Sequence, residues 1–368
     1  MLARLKGVVE RIDSERAGAQ EVAVRTESGP RQAVNYTQLT GSLAVGDTVF
    51  LNTWANSLGL GTGGVDFLIA VDRAEQVEAA SGHLMKLRYT PAQVPVLSAE
   101  SPESEFHQTL VDFSSLDGTP VVCAELHSQA AAAAVAIKWK AQTARVVYVM
   151  TDGAALPLAF SRLIPQLRER KLLDAVVTAG QAFGGDYEAV NIYSALAVAR
   201  SAAGADIIIV GQGPGNAGTA TPLGFSGIDQ GIALNAAASL GGSPIAVPRI
   251  SFADSRKRHH GLSHHTITVL EQVALSRVIV PIHTHSDEQT GLLAEQLPAI
   301  VAERHDVVIV DAGDAFAALV ASGLEITTMG RQVADDPGFF KAACAAGVLA
   351  GELYENRIAG LGRVGNGR

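Results

Sequence analysis

The stretch Asp254-Ser-Arg-Lys-Arg-His-His-Gly-Leu-Ser-His-His-Thr266 holds four of the chain's ten histidines and three consecutive cations, set between two apolar runs. Ser263 reads as the N-cap of a helix that begins at His264. His264 and His265 then fall in its first turn, where the positive end of the helix dipole disfavours an imidazolium. Neutral imidazoles can move protons or ligate a metal. Arg256, Lys257 and Arg258, together with the free N–H groups of the same turn, favour an anion directly. The balance of charge therefore reads as an anion-facing helix start first and a metal cluster second.

Other candidates fall just after apolar runs. Glu125 and His127 follow Val121-Val-Cys-Ala and form a candidate acid/base pair that would face His264 or His265, the candidate general acid/base residues. Gly211-Gln-Gly-Pro-Gly-Asn-Ala-Gly-Thr219 is a glycine-rich loop in which Gly211, Gly213, Gly215, Asn216, Gly218 and Thr219 would cradle a phosphate or carboxylate, assisted by Arg256 and Arg258. It lacks both the Gly-Lys-Ser/Thr ending of a nucleotide-binding P-loop and the glycine spacing of a dinucleotide fingerprint. A merely tight turn is the alternative. Asp186 closes a second glycine-containing strand end and joins the candidate ligand-binding set. For a divalent metal, the candidate cofactor, the ligands would be His259, His283, His285 and Asp254. His283-x-His285 can point both side chains one way from an extended segment, although no spacing matches HExxH. Ser128 reads as a helix cap rather than a nucleophile, and Cys123 as core.

The elements that must position these residues come in two textures. Residues 1–80 carry short β-branched runs, Gly7-Val-Val-Glu, Glu21-Val-Ala-Val-Arg and Asp47-Thr-Val-Phe-Leu-Asn, separated by turn residues, and predict a small barrel of about five or six strands. Gly59-Leu-Gly-Thr-Gly-Gly reads as a barrel corner, with a ligand-closing loop as the alternative. His83 to Gln93 reads as a connector.

Residues 81–368 alternate apolar runs with helix-length segments, the pattern of a doubly wound, mostly parallel, Rossmann-like α/β domain. The predicted strands begin near Val121, Arg145, Ala175, Asp206, Pro244, Val278 and Asp306. Ser128, Asp186, Ser226-Gly-Ile-Asp229 and Ser286-Asp-Glu-Gln289 are expected helix starts, and Asp336-Pro337 predicts a helix ending near residue 346. In such a sheet ligands bind outside the carboxyl ends of the strands, where these polar residues gather.

Composition narrows the partners. With a net charge of −9 and a pI near 5.6, the chain is a poor non-specific binder of nucleic acid or anionic membranes. Few aromatics lie among the Arg and Lys, so the stacking platform for single strands is missing. From Ile207 to Pro248 the only charge is Asp229, but Gly and Pro divide this apolar stretch into pieces too short to span a bilayer. Two cysteines and an N-terminus that meets charge early predict a cytoplasmic protein. An anionic small molecule is the expected partner, and a homo-oligomer stays open.

Asn52-Thr-Trp-Ala-Asn, Leu60-Gly-Thr-Gly-Gly-Val-Asp-Phe, Gly180-Gln-Ala-Phe-Gly-Gly-Asp-Tyr-Glu-Ala, Gly213-Pro-Gly-Asn-Ala-Gly-Thr and Arg258-His-His-Gly-Leu-Ser-His-His-Thr together resemble a bacterial family known only as domain of unknown function 3866. The resemblance implies a bacterial cytosolic protein and transfers no activity and no catalytic residue. From the residues themselves, the leading expectation is an enzyme acting on a phosphorylated or otherwise anionic small molecule, nucleotides included, by hydrolysis or group transfer. The alternatives are a non-catalytic ligand-sensing or scaffold protein whose barrel contacts a partner, and a metal-dependent hydrolase built on the histidine clusters.

Overall fold

The computed structural model describes residues 4–59, 64–73, 82–284 and 286–360. The chain divides into two compact units, Met1–Leu97 with Pro157–Phe160, and Ser98–Leu156 with Ser161–Arg368.

In the first unit, strands β1 (Arg4–Arg16), β2 (Ala19–Thr26), β3 (Gly29–Tyr36), β4 (Thr48–Asn52) and β5 (Asp66–Val71) close into a barrel in the order β1-β2-β3-β5-β4. Alternation along the strands sends Val9, Val22, Val24, Ala33, Val49 and Leu51 into its core. The stretch read as a connector, His83 to Gln93, holds the short strand β6 (Leu84–Lys86), which pairs antiparallel with β7 (Val94–Val96) just beyond it. Three residues per strand are too few to show a period. Residues 60–63 of the proposed barrel corner lie outside the described residues.

The second unit is built on β8 (Pro120–Cys123), β9 (Val146–Thr151), β10 (Ala175–Thr178), β11 (Tyr187–Glu188), β12 (Ile207–Gln212), β13 (Ser243–Ala246), β16 (Ile279–His283) and β17 (Asp306–Val310), with β14 (Ile250–Ser251) and β15 (Gly261–Leu262) forming a separate antiparallel ribbon. The eight strands run in the order β11-β10-β9-β12-β8-β13-β16-β17, and every pairing is parallel. All residues of β8, β9, β10 and β12 are buried, which is why they read as unbroken apolar runs. Strands that follow β8 go to one side of it and those from β13 onward to the other, so the carboxyl ends of β8 and β12 meet at a switch point.

Helix His127–Lys140 packs against helix Pro337–Ile358, and helix Ile192–Ser201 against helix Asp229–Ser239. Small residues set the first contact. A Cβ on Gly347 would lie 2.4 Å from the Ala133 carbonyl oxygen and 2.7 Å from Ala136 Cβ. The helix predicted to end near residue 346 thus runs on to Ile358, because Gly347 permits close approach rather than a stop.

Two other helix starts also move. Helix His127–Lys140 begins one residue before Ser128, with Gln129 Oε1 accepting from the Glu125 and Leu126 amides at 2.9 and 3.0 Å. Asn191, not Asp186, caps Ile192–Ser201. Ser286 caps its helix through the Gln289 amide. No helix among the described residues is long and apolar enough to cross a membrane.

Candidate functional site

At the end of β8 the chain turns, and Glu125 is pinned from two directions. Gln129 accepts from its amide, and Gln212, the last residue of β12, donates Nε2 to its carbonyl oxygen at 3.0 Å. Its carboxylate is buried at 1% exposure. Oε1 accepts from His265 Nδ1 at 2.6 Å and from Arg249 Nη1 at 3.2 Å, while Oε2 is buried with no hydrogen-bond partner. Burial pushes this carboxyl up, but the His265 hydrogen bond and the Arg249 charge outweigh it and hold Glu125 below its ordinary value. An ionised Glu125 only accepts, so the His265 Nδ1 that faces it is the donor, and Nε2 is the ring nitrogen not used in this contact.

His265 is positioned locally. Ser263 Oγ accepts from the His265 amide, capping the short helix His264–Thr268, which continues as a π turn over Val269–Val273. The Arg249 amide donates to Thr266 Oγ1 at 2.8 Å, and the Ser263 amide to the Arg249 carbonyl at 2.9 Å. The helix start is therefore tied to the chain leaving β13. Phe225 stacks on the His265 ring at 3.8 Å and 4°.

Two more imidazoles join it. The ring centroids of His259, His264 and His265 are 4.4 to 5.0 Å apart, and one ligand atom from each lies within 4.8 Å of the others. His259 Nδ1 is 2.8 Å from Ser263 Oγ. His264 Nε2 is buried with no partner. Burial, then the charges of Arg249 and Arg256 and the neighbouring rings, push His259 down to about 3. His264 is lowered too, by burial, His265 and Arg258. Both rings are neutral at pH 7 and offer lone pairs.

The other residues singled out from sequence go elsewhere. His127 lies two residues from Glu125 but turns away, with Nδ1 3.1 Å from the Tyr148 hydroxyl and Nε2 2.7 Å from Ser161 Oγ. Of the proposed metal ligands, His259 is in the imidazole cluster. Asp254 is occupied by cations, accepting from Arg256 Nε and Nη2 at 2.9 and 2.6 Å, with Arg331 at 3.5 Å and Arg249 at 3.8 Å. His283 ends β16 and accepts from the Ala312 amide at 3.1 Å. His285 lies outside the described residues.

Arg256 is committed to Asp254, whereas Arg258 is exposed and its charge reaches His264. Asp186 accepts from the Val176 amide and pairs with Arg168.

The glycine loop is largely closed on itself. Gly211 lies within β12, and a Cβ on Gly213 would sit 2.4 Å from the Ala155 carbonyl. Gly215 turns with φ +100°. Asn216 Oδ1 accepts from Ser226 Oγ and the Gly227 amide. Gly218 bridges Phe225, and the Thr219 amide donates to the Gly224 carbonyl at 2.8 Å. These contacts leave fewer amides for an anion and instead deliver Phe225 and Gly227 to the centre. A Cβ on Gly227 would lie 2.5 Å from Glu125 Cγ.

Arg249, Phe225 and Gln212 were not among the sequence candidates for the site. Arg249 had one signal, a single cation directly after the apolar run Pro244-Ile-Ala-Val-Pro.

Fold and site define a class: a small closed barrel joined to an all-parallel α/β unit with a buried carboxylate-supported imidazole centre at the carboxyl edge of its sheet. The chain belongs to the DUF3866 family, a protein family of unknown function whose model matches residues 32–347. No curated protein and no solved structure matches this chain.

Proposed function

We propose that this protein is a metal-dependent hydrolase of an anionic small molecule, with a divalent metal held by His259, His264 and His265. The observation that carries the reading is the arrangement of three imidazoles with ligand atoms within 4.8 Å, where the outer nitrogens of His265 and His259 are already held by Glu125 and Ser263. Metal-ligating histidines characteristically have their second nitrogen anchored this way. A centre of three histidines keeps a fourth position open for water and substrate, and nitrogen donors of this kind suit zinc or a neighbouring transition metal.

When bound, the metal would supply an acidified water as nucleophile. Glu125 fixes the His265 tautomer, and its unpartnered Oε2 can accept a proton. Arg249 keeps that carboxylate ionised, and exposed Arg258, whose charge reaches His264, would attract an anionic substrate. This differs from the ligand set expected from sequence. His264 and His265 move from acid/base catalysis to ligation, and the glycine loop serves as a brace.

Elemental analysis of protein purified without a chelating tag tests the reading. The wild type should hold a divalent metal in stoichiometric amount, and the double variant His264→Ala, His265→Ala should lose it while keeping its circular dichroism spectrum. Hydrolysis of a panel of phosphate and carboxylate esters should stop with a chelator and return with zinc. A wild type that binds zinc no tighter than about 1 mM, roughly −4 kcal/mol, would sink it.

A further inference from the structure

A cavity of about 270 Å³ opens at the start of helix Pro337–Ile358, lined among others by Phe252, Gln289, Asp335, Asp336, Gly338 and Lys341. Its polar groups carry both signs. Asp336 is 1% exposed; its Oδ2 accepts from Ser251 Oγ at 2.7 Å and from Arg331 Nε at 3.0 Å, while Oδ1 is buried with no partner. A buried carboxylate oxygen in that state calls for a donor.

The helix end calls for the opposite. Asp336 occupies the N-cap with no side-chain bond to the helix amides, its carbonyl accepting from the Phe339 amide at 3.2 Å, and Pro337 contributes no N–H. The Gly338 end of a 22-residue helix therefore presents its positive pole to the cavity. Lys341, one turn on, also lines the cavity, its ammonium 5.3 Å from the centroid of the Phe316 ring. Phe252 supplies an apolar face, and the volume falls just under the range of drug-sized pockets, which begins at about 300 Å³.

We infer that this cavity binds a small zwitterion of the α-amino-acid type, its ammonium on Asp336 Oδ1 and its carboxylate on the helix start and Lys341. A free amine leaves the helix end and Lys341 unanswered, and a free carboxylate meets Asp336 with like charge. No histidine of the centre lines this cavity, and the binding needs no metal.

Thermal shift and calorimetry on the full chain test the inference, with single amino acids at about 10 mM and ethylamine and acetate as half-ligands. At least one amino acid should raise the melting temperature while both half-ligands fail, with and without chelator. Lys341→Met and Asp336→Asn should each weaken binding by about tenfold or more. Asp336→Asn disturbs the Arg331 pair and can unfold the chain, so the half-buried Lys341 decides in that case. The inference is overturned if no amino acid stabilises the chain, if ethylamine or acetate alone does so equally, or if the folded variants bind as the wild type does.

Discussion

Glu125 and His127 leave the same strand two residues apart, yet they serve two different kinds of histidine. The ring that Glu125 holds, His265, has one nitrogen anchored and the other available beside His259 and His264. His127 has both nitrogens engaged, by Tyr148 and Ser161. Tyr148 continues the chain of contacts to the carbonyls of Gly211 and Gln212, both at 3.0 Å, and Ser161 accepts from the Leu163 and Ile164 amides, both at 3.2 Å. His127 is a strut between strand ends, and burial drives it down to about 4. A histidine's type and position suggest chemistry, but its second nitrogen decides between ligand and strut.

The largest effect that could break this contrast lies at Glu125. Glu125→Ala leaves Arg249, 2% exposed, without its close buried partner. Removing one member of such a pair costs about 3–5 kcal/mol, so chemical denaturation should show a loss of that order together with reduced metal retention. A loss confined to stability would make the Glu125–His265 pair another strut.

Acid should weaken both kinds of histidine. His127 drops from 6.5 to about 4 and His259 from 6.5 to about 3. Below pH 6.5 the unfolded chain takes up protons that the native rings refuse, so stability falls as pH drops through that window and levels off once the native rings also protonate. For His127 the 2.5-unit difference is about 3 kcal/mol at 1.36 kcal/mol per unit. The wild-type unfolding free energy should fall steeply from pH 6.5 to about 4, and His127→Phe should flatten part of that slope. An unchanged slope in the variant would show that His127 is not held neutral by the fold.

Gly227→Ala probes the metal side. Its new methyl would meet Glu125 Cγ at 2.5 Å, so the Glu125 side chain or the backbone at Gly227 must shift and the contact with His265 is disturbed. Disturbing a group that orients a metal ligand typically costs about 10- to 100-fold in affinity. Zinc titration should find that loss, and unchanged affinity would detach Glu125 from metal binding.

These contrasts also mark what was legible in the chain. The apolar runs at 146–151 and 207–212 announce buried parallel strands because both faces of the sheet are covered. Ser263 announces the start of the His264 helix because its capping bond is local. Glu125 and His265 are each visible as residues, but their contact spans 140 positions, and no local spacing encodes it. The buried charge of Arg249 depends on Glu125 and Asp254 arriving from elsewhere, and a cation in sequence reads as surface. The glycine loop's contacts were equally hidden: the bridge from Gly218 to Phe225 and the bonds of Asn216 to Ser226 and Gly227 join residues seven to eleven positions apart, and composition alone does not announce them.

The smallest effect sharpens the contrast most. Ser161→Ala removes the hydroxyl that bonds His127 Nε2 and accepts the two amides at the start of helix Leu163–Glu169. Loss of a serine in that role costs about 1 kcal/mol, with a further contribution because His127 Nε2 loses its partner in a half-buried site. Urea denaturation should therefore show a modest drop in midpoint with unchanged slope. Metal stoichiometry and zinc affinity should stay at wild-type values, since none of the three clustered imidazoles touches Ser161. A Ser161→Ala variant that loses metal would mean that strut and centre are one network through Gln212, whose Nε2 bonds the Glu125 carbonyl and whose own carbonyl accepts from Tyr148.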